Sequence, residues 1–247
     1  GAQGGDVRCP EAHGTRVRVP ARHADDEDTL RSMLPLTDVM GTGHHAAISA
    51  GVEAGSTAAV IGDGAVGLCG VLAAKRLGAE RIIAMGHHED RLTIADEFGA
   101  TDLVSERGEA AIERVTEMTN GGVNHVLECV GATSSMETAI GVARPGGTVG
   151  YVGVPHGLGD GLDLEPFFRA TVPLTGGVAP VRASSDHLLA HLLPGTLDPS
   201  TLFPKPVDLD RAPHPHAARA TPAPATFLRN LSPARAPLAP APYPNVH

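Results

Sequence analysis

The stretch Ala58-Ala59-Val60-Ile61-Gly62-Asp63-Gly64-Ala65-Val66-Gly67 decides the fold. A short apolar segment of strand type runs into a Gly-x-Gly-x-x-Gly turn, and a helical pattern follows from about Ala65 to Leu77. Gly62 permits the tight turn, Gly64 lets the backbone approach a pyrophosphate, and Gly67 lets the helix pack close to the strand. The segment Gly62, Asp63, Gly64, Ala65, Val66 and Gly67 therefore predicts a dinucleotide site, with the amides and positive dipole end of the helix aimed at the phosphates. The alternative is a tight strand-to-helix turn without ligand.

Working outward, strands and helices alternate. Strands are predicted at Ala58–Ile61, Arg81–Met85, Asp102–Val104, His125–Cys129, Thr148–Val152 and Thr171–Thr175. Helices are predicted at about Ala65–Leu77, Glu89–Phe98, Glu109–Thr119 and Ser134–Ala143, with Gly78 and Gly99 as helix stops. The strands are short and apolar on both faces, as in a parallel sheet covered by helices, so the fold class is α/β, a doubly wound parallel sheet. Before it, residues 1–31 are polar, with extended stretches such as Thr15–Val19, and read as the end of a β-rich unit. Residues 32–180 form the dinucleotide-binding domain, in which Thr37 or Asp38 caps a helix running to Ala50 and Gly51 stops it. Residues 181–203 contain an amphipathic helix at Ser184–Leu193. Residues 204–247 hold eleven of the 21 prolines. Proline locks φ and lacks an amide donor, so this tail is expected to be extended or disordered.

In a dinucleotide fold an acidic residue at the end of the second strand receives the ribose hydroxyls of NAD. Here that place reads Met85-Gly86-His87-His88-Glu89-Asp90-Arg91. Gly86 stands where the carboxylate is expected, and His87, His88 and Arg91 can donate to a 2′-phosphate, so NADP is favoured with NAD as the alternative. The bland reading is a solvated loop followed by a surface arginine.

The chain has 247 residues and a formal net charge of -9. An acidic excess does not make the basic face that a nucleic acid needs, so a small-molecule partner is expected. Cys9, Cys69 and Cys129 have neither metal-ribbon spacing nor disulfide density, and Cys69 and Cys129 read as small core residues of a reduced, cytoplasmic protein. No apolar run approaches the roughly 18 residues of a membrane span.

Several further motifs follow in order: Leu36-Thr37-Asp38-Val39-Met40-Gly41-Thr42-Gly43, Gly62 to Gly67, Leu127-Glu128-Cys129-Val130-Gly131, Arg144-Pro145-Gly146-Gly147 and Tyr151-Val152-Gly153-Val154-Pro155. With them the chain, from about Gly1 to Leu202, resembles the zinc-dependent medium-chain alcohol dehydrogenases. The resemblance implies a Rossmann domain beside a remnant of a β-rich GroES-like catalytic domain. It implies Asp38 as a ligand of a catalytic zinc and Thr42 against the nicotinamide, both counted as catalytic. It also implies that Cys129, Val130 and Gly131, and Val152, Gly153 and Val154, pass over the cofactor. A catalytic zinc takes three protein ligands and keeps a fourth place open. The family's cysteine and its His-Glu pair belong to an N-terminal domain of which residues 1–31 match only the end, so Asp38 stands alone and is equally suited to capping its helix. His44 and His45, adjacent on a helix, diverge by about 100° and do not readily share an ion. They belong to the substrate cleft only by resemblance.

The function that follows is NADP-dependent hydride transfer between an alcohol and an aldehyde. A zinc-free quinone or enoyl reductase of the same superfamily and a non-catalytic nucleotide-binding fragment are the other readings. The last strand, as an unpaired edge, is the place for a homo-oligomer contact.

Overall fold

The computed structural model describes residues 9, 11–23, 25–156, 161–203, 205–208 and 226–229. In chain order the regular elements are α1 (Ala12–Thr15), α2 (Glu27–Met33), α3 (Val39–Ala50), β1 (Thr57–Ile61), α4 (Ala65–Arg76), β2 (Arg81–Met85), α5 (Glu89–Glu97), β3 (Asp102–Val104), α6 (Gly108–Thr119), β4 (Val123–Glu128), α7 (Thr133–Val142), β5 (Ala143–Tyr151), α8 (Glu165–Ala170), β6 (Leu174–Gly176), α9 (Val181–Leu192), β7 (Lys205–Asp208) and β8 (Thr226–Arg229). Strands β1 to β6 make one parallel sheet in the order β3-β2-β1-β4-β5-β6. The strand order reverses between β1 and β4, and a crevice opens there outside the carboxyl ends of the strands. Strands β7 and β8 pair in a separate parallel ribbon.

The period of two along each strand feeds two cores. Ala58 and Val60 of β1 pack with Met40 and Ala46 of α3 and with Leu68 and Val71 of α4. Ala59 and Ile61 face the other layer, with Ala111 and Val115 of α6 and Ala139 and Val142 of α7. Helices on both faces cover the central strands β1 and β2, which is why they read as continuous apolar runs. Each fully buried valine or isoleucine contributes roughly 1.5–3 kcal/mol of transfer free energy. Helices α3 and α4 cross closely at Gly43 and Gly70. A Cβ on Gly43 would sit 2.5 Å from the Gly70 amide nitrogen and 2.7 Å from the Cys69 carbonyl carbon. At the far edge, the Arg81 guanidinium holds Asp102 through Nε at 2.8 Å and Nη2 at 2.9 Å, tying β3 to β2. Among the described residues no helix is long and apolar enough to cross a membrane.

Strands β2 and β3 match their expected limits, and α3 ends at Gly51 with φ 78 as anticipated. Three departures have local causes. The β-rich reading of residues 1–31 finds no strand among the described residues before Thr57: Arg16 is extended after the short helix α1, and Glu27–Met33 is a helix whose N-cap Asp26 accepts from the Thr29 amide. The strand expected at Thr171–Thr175 lies at Leu174–Gly176, because the short helix α8 occupies the preceding turn and Thr171 ends it with φ 54. Helix α9 starts three residues before the expected Ser184, directly after Pro180. The expectation for residues 204–247 falls largely outside the described residues; only β7 and β8 lie within them.

Candidate cofactor site

In the parallel register Ile61 stands beside Met85 on one side and Glu128 on the other. The turns that follow, at 62–64, 86–88 and 129–131, therefore meet at one edge of the sheet. They enclose a cleft of about 610 Å³ lined by Gly62, Asp63 and Gly64, by Gly86 and His87, by Cys129 and Val130, and by Glu106 and Arg107 from the loop after β3. A Cβ on Gly67 would fall on the carbonyl oxygen of Gly62, so only glycine lets α4 begin this close to its strand. Gly64 is the N-cap and makes no side-chain cap. The first-turn amides at Ala65, Val66 and Gly67 are thus left for an external acceptor.

The end of β2 holds a carboxylate after all, supplied by another residue. Asp63 reaches across, and Oδ2 accepts from the amides of His87 at 2.8 Å and His88 at 2.9 Å and lies 2.9 Å from His88 Nδ1. Arg91 Nη1 stands 3.5 Å from Oδ1. Burial pushes this carboxyl up, but the two amides and the His88 ring outweigh it, and its affinity for protons falls below the ordinary 3.8. Gly86 leaves no room for a side chain of its own: a Cβ there would meet Asp63 Cβ at 2.5 Å and Oδ2 at 2.6 Å. His87 is exposed in the cleft, its proton affinity lowered by partial burial and then by His88 and Arg107. His88 and Arg91 lie behind Asp63, where they hold the loop rather than line the cleft.

On the other side Glu128, fully buried, builds the third turn. Its Oε1 accepts from the amides of Val130 at 2.9 Å and Gly131 at 2.7 Å and from Ser135 Oγ at 2.7 Å. Gly131 and the 153–154 turn touch backbone to backbone, and the Gly153 amide donates to the Glu128 carbonyl at 3.2 Å. Val152 is buried in the core and Val154 is exposed. The Val152, Gly153 and Val154 segment abuts Gly131 without lining the cleft. Cys69 and Cys129 have thiols pushed up by burial, in keeping with a packing role.

Asp38 and Thr42 lie together one turn apart at the start of α3, with Thr42 Oγ1 donating to Asp38 Oδ1 at 3.1 Å. Asp38 occupies the N-cap but caps no amide through its side chain. Among the described residues, the His, Cys, Asp and Glu side chains close enough to share an ion are Asp63, His87 and His88, a group that excludes Asp38. Around Asp38 the described residues thus do not assemble the three-ligand set of a catalytic zinc. His44 is buried against α4, where Arg76 Nη2 lies 3.0 Å from its Nδ1, and it does not line the cleft.

The structure brings Gly62, Asp63, Gly64, Gly86, His87, Cys129 and Val130 into one cleft, and it adds Arg107, which the sequence reading passed over. The available signal was its place: three residues beyond β3, beside the end of β2 in the sheet.

Comparison with known proteins agrees with this fold. Residues 65–183 match the family model described as zinc-binding dehydrogenase. A probable zinc-binding alcohol dehydrogenase of Mycobacterium tuberculosis is 35% identical over 220 residues, covering 86% of this chain and 53% of that protein. An NADP-dependent isopropanol dehydrogenase of Clostridium beijerinckii is 36% identical over 151 residues, covering 57% of this chain and 43% of its own length. The structure of the alcohol dehydrogenase TADH from Thermus sp. ATN1 superposes with a TM-score of 0.80 at 28% identity, over 89% of this chain and 62% of that one. The chain spans about half the length of these curated relatives.

Proposed function

The central domain of this chain belongs to the zinc-binding dehydrogenase family, and on that premise we propose that the chain is the cofactor-binding part of an NADP(H)-dependent oxidoreductase acting on small alcohols and their carbonyl products. The observation that carries the proposal is the cleft at the strand-order reversal, where the 62–64 turn that leads into α4 meets His87 and Arg107. A pyrophosphate suits the helix N-terminus, and a 2′-phosphate suits the two cationic or donor side chains. NADP-dependence in the isopropanol dehydrogenases of Clostridium beijerinckii and Thermoanaerobacter brockii, 36% and 37% identical, supports the same choice.

When bound, the nicotinamide supplies the hydride acceptor or donor. The chain's own part is to orient it. The Glu128-held turn forms one wall through Cys129 and Val130, with the 152–154 segment packed behind it, and Thr42, held by Asp38, is assigned to the nicotinamide end. Asp38 is one carboxylate of a ligand set that the described residues do not complete. The chain by itself is therefore expected to bind cofactor with little zinc-dependent alcohol oxidation.

Amide exchange with and without NADPH tests the assignment. Protection should rise at 62–67, 86–88 and 129–131. Unchanged exchange in all three turns would contradict it. Reduction of enones by NADPH without zinc would instead favour the zinc-free reductase reading.

A further inference from the structure

Resting on the reading of the cleft as a dinucleotide site, we propose that Asp63 is the residue that sets cofactor choice, because its carboxylate and one from position 86 are alternative occupants of a single corner. The register that puts Ile61 beside Met85 brings the turn after β1 against the turn after β2. The Asp63 side chain fills the volume that a side chain at 86 would need, with Cβ, Oδ2 and Cγ at 2.5, 2.6 and 2.8 Å from an ideal Cβ there. Neither position can carry a carboxylate while the other does, unless the turns part.

The two placements differ in what the oxygens face. A carboxylate projecting from the end of β2 receives the ribose hydroxyls of NAD and repels a 2′-phosphate. Asp63 directs its oxygens into the loop. Oδ2 already takes the His87 amide, the His88 amide and the His88 ring, and Oδ1 faces Arg91. An ionised carboxylate has about four lone-pair sites, and this one meets four donors from residues 87–91. The ribose diol finds its acceptor largely occupied. By fixing both amides of the loop, Asp63 also positions the His87 ring in the cleft that Arg107 shares. A phosphate monoester on the ribose then meets two donors and a carboxylate already balanced by Arg91.

A double-mutant cycle with wild type, Gly86→Asp, Asp63→Gly and the double variant tests this, read by NADPH and NADH binding and by thermal unfolding. Gly86→Asp alone should weaken both dinucleotides and lower the unfolding temperature, since two carboxylates meet in one corner. In the Asp63→Gly background the same change should be tolerated, and the double variant should bind NADH more tightly than NADPH. The change in the NADH-to-NADPH affinity ratio from wild type should reach at least about tenfold. If Gly86→Asp does not fold, Gly86→Ala serves, because its methyl meets the same Asp63 atoms. The proposal falls if the substitution at 86 has the same effect in both backgrounds, or if the double variant prefers NADPH as wild type does. A wild type that binds NADPH while the cycle is additive overturns this proposal alone; one that binds neither dinucleotide overturns the reading of the cleft as well.

Discussion

Ser135 Oγ donates to Oε1 of the fully buried Glu128 at 2.7 Å, and the same hydroxyl lies 2.8 Å from the Ala132 carbonyl oxygen and accepts from the Ala132 amide at 3.0 Å. One serine thus joins the carboxylate under the 129–131 turn to the first turn of α7. Ser135→Ala should cost about 1–2 kcal/mol in urea unfolding, and Glu128→Ala more, since it strands two turn amides in a buried place. Wild-type stability of Glu128→Ala would contradict this account of the turn.

A second expectation concerns pH. Burial first, then Arg76, lowers the proton affinity of His44 from the ordinary 6.5 to about 4. Between those values the unfolded chain binds a proton and the folded chain does not. Stability is therefore complete above about pH 6.5 and falls as pH drops toward 4, with a slope of up to about 1.4 kcal/mol per pH unit from this group. His187, lowered by burial and by the same arginine, acts in the same direction. Asp63 makes its loss lower still, as pH falls below its ordinary 3.8. His44→Gln should flatten the profile between pH 6.5 and 4; an unchanged slope in unfolding at several pH values would show that His44 does not titrate this way.

Arg107 lines the cleft near His87 from the loop between β3 and α6. Arg107→Ala should reduce affinity for 2′,5′-ADP by on the order of tenfold while leaving 5′-AMP nearly unchanged, because a guanidinium–phosphate contact is charge-assisted and depends on the 2′-phosphate. Calorimetric titration with the two nucleotides checks it. Equal losses for both would move Arg107 away from that phosphate.

The crossing of α3 and α4 is tight enough to test with one methyl group. Gly43→Ala places a Cβ against the Gly70 backbone, which is not the movable end of a side chain, and should cost about 1–3 kcal/mol. Thermal unfolding unchanged by the methyl would mean that the helices separate freely.

The sheet was legible because its signals are local. The run Ala58–Ile61 before Gly62, the apolar Arg81–Met85 stretch, and glycine after the helices each carry their meaning within a few residues. Helix α8 escaped because six residues with Pro166 in the first turn show too little periodicity, and the strand after it was placed early for the same reason. The cofactor corner was only half legible. That Gly86 carries no carboxylate is plain from sequence, whereas the filling of its corner by Asp63 depends on residues 23 apart meeting through the strand register. Glu128 read as part of a family motif, but its role in holding the 129–131 turn shows only in the three-dimensional arrangement, where the Ser135 hydroxyl of α7 joins the two turn amides on one carboxylate oxygen.

Paired titration of the purified chain with NADPH and with NADH, followed by nicotinamide fluorescence, tests the central claim most directly. It requires no catalytic turnover. Binding of NADPH should be saturable and at least about tenfold tighter than that of NADH, with most of the difference lost in Arg107→Ala. Binding of NADH as tight as that of NADPH, or no binding of either, would contradict it.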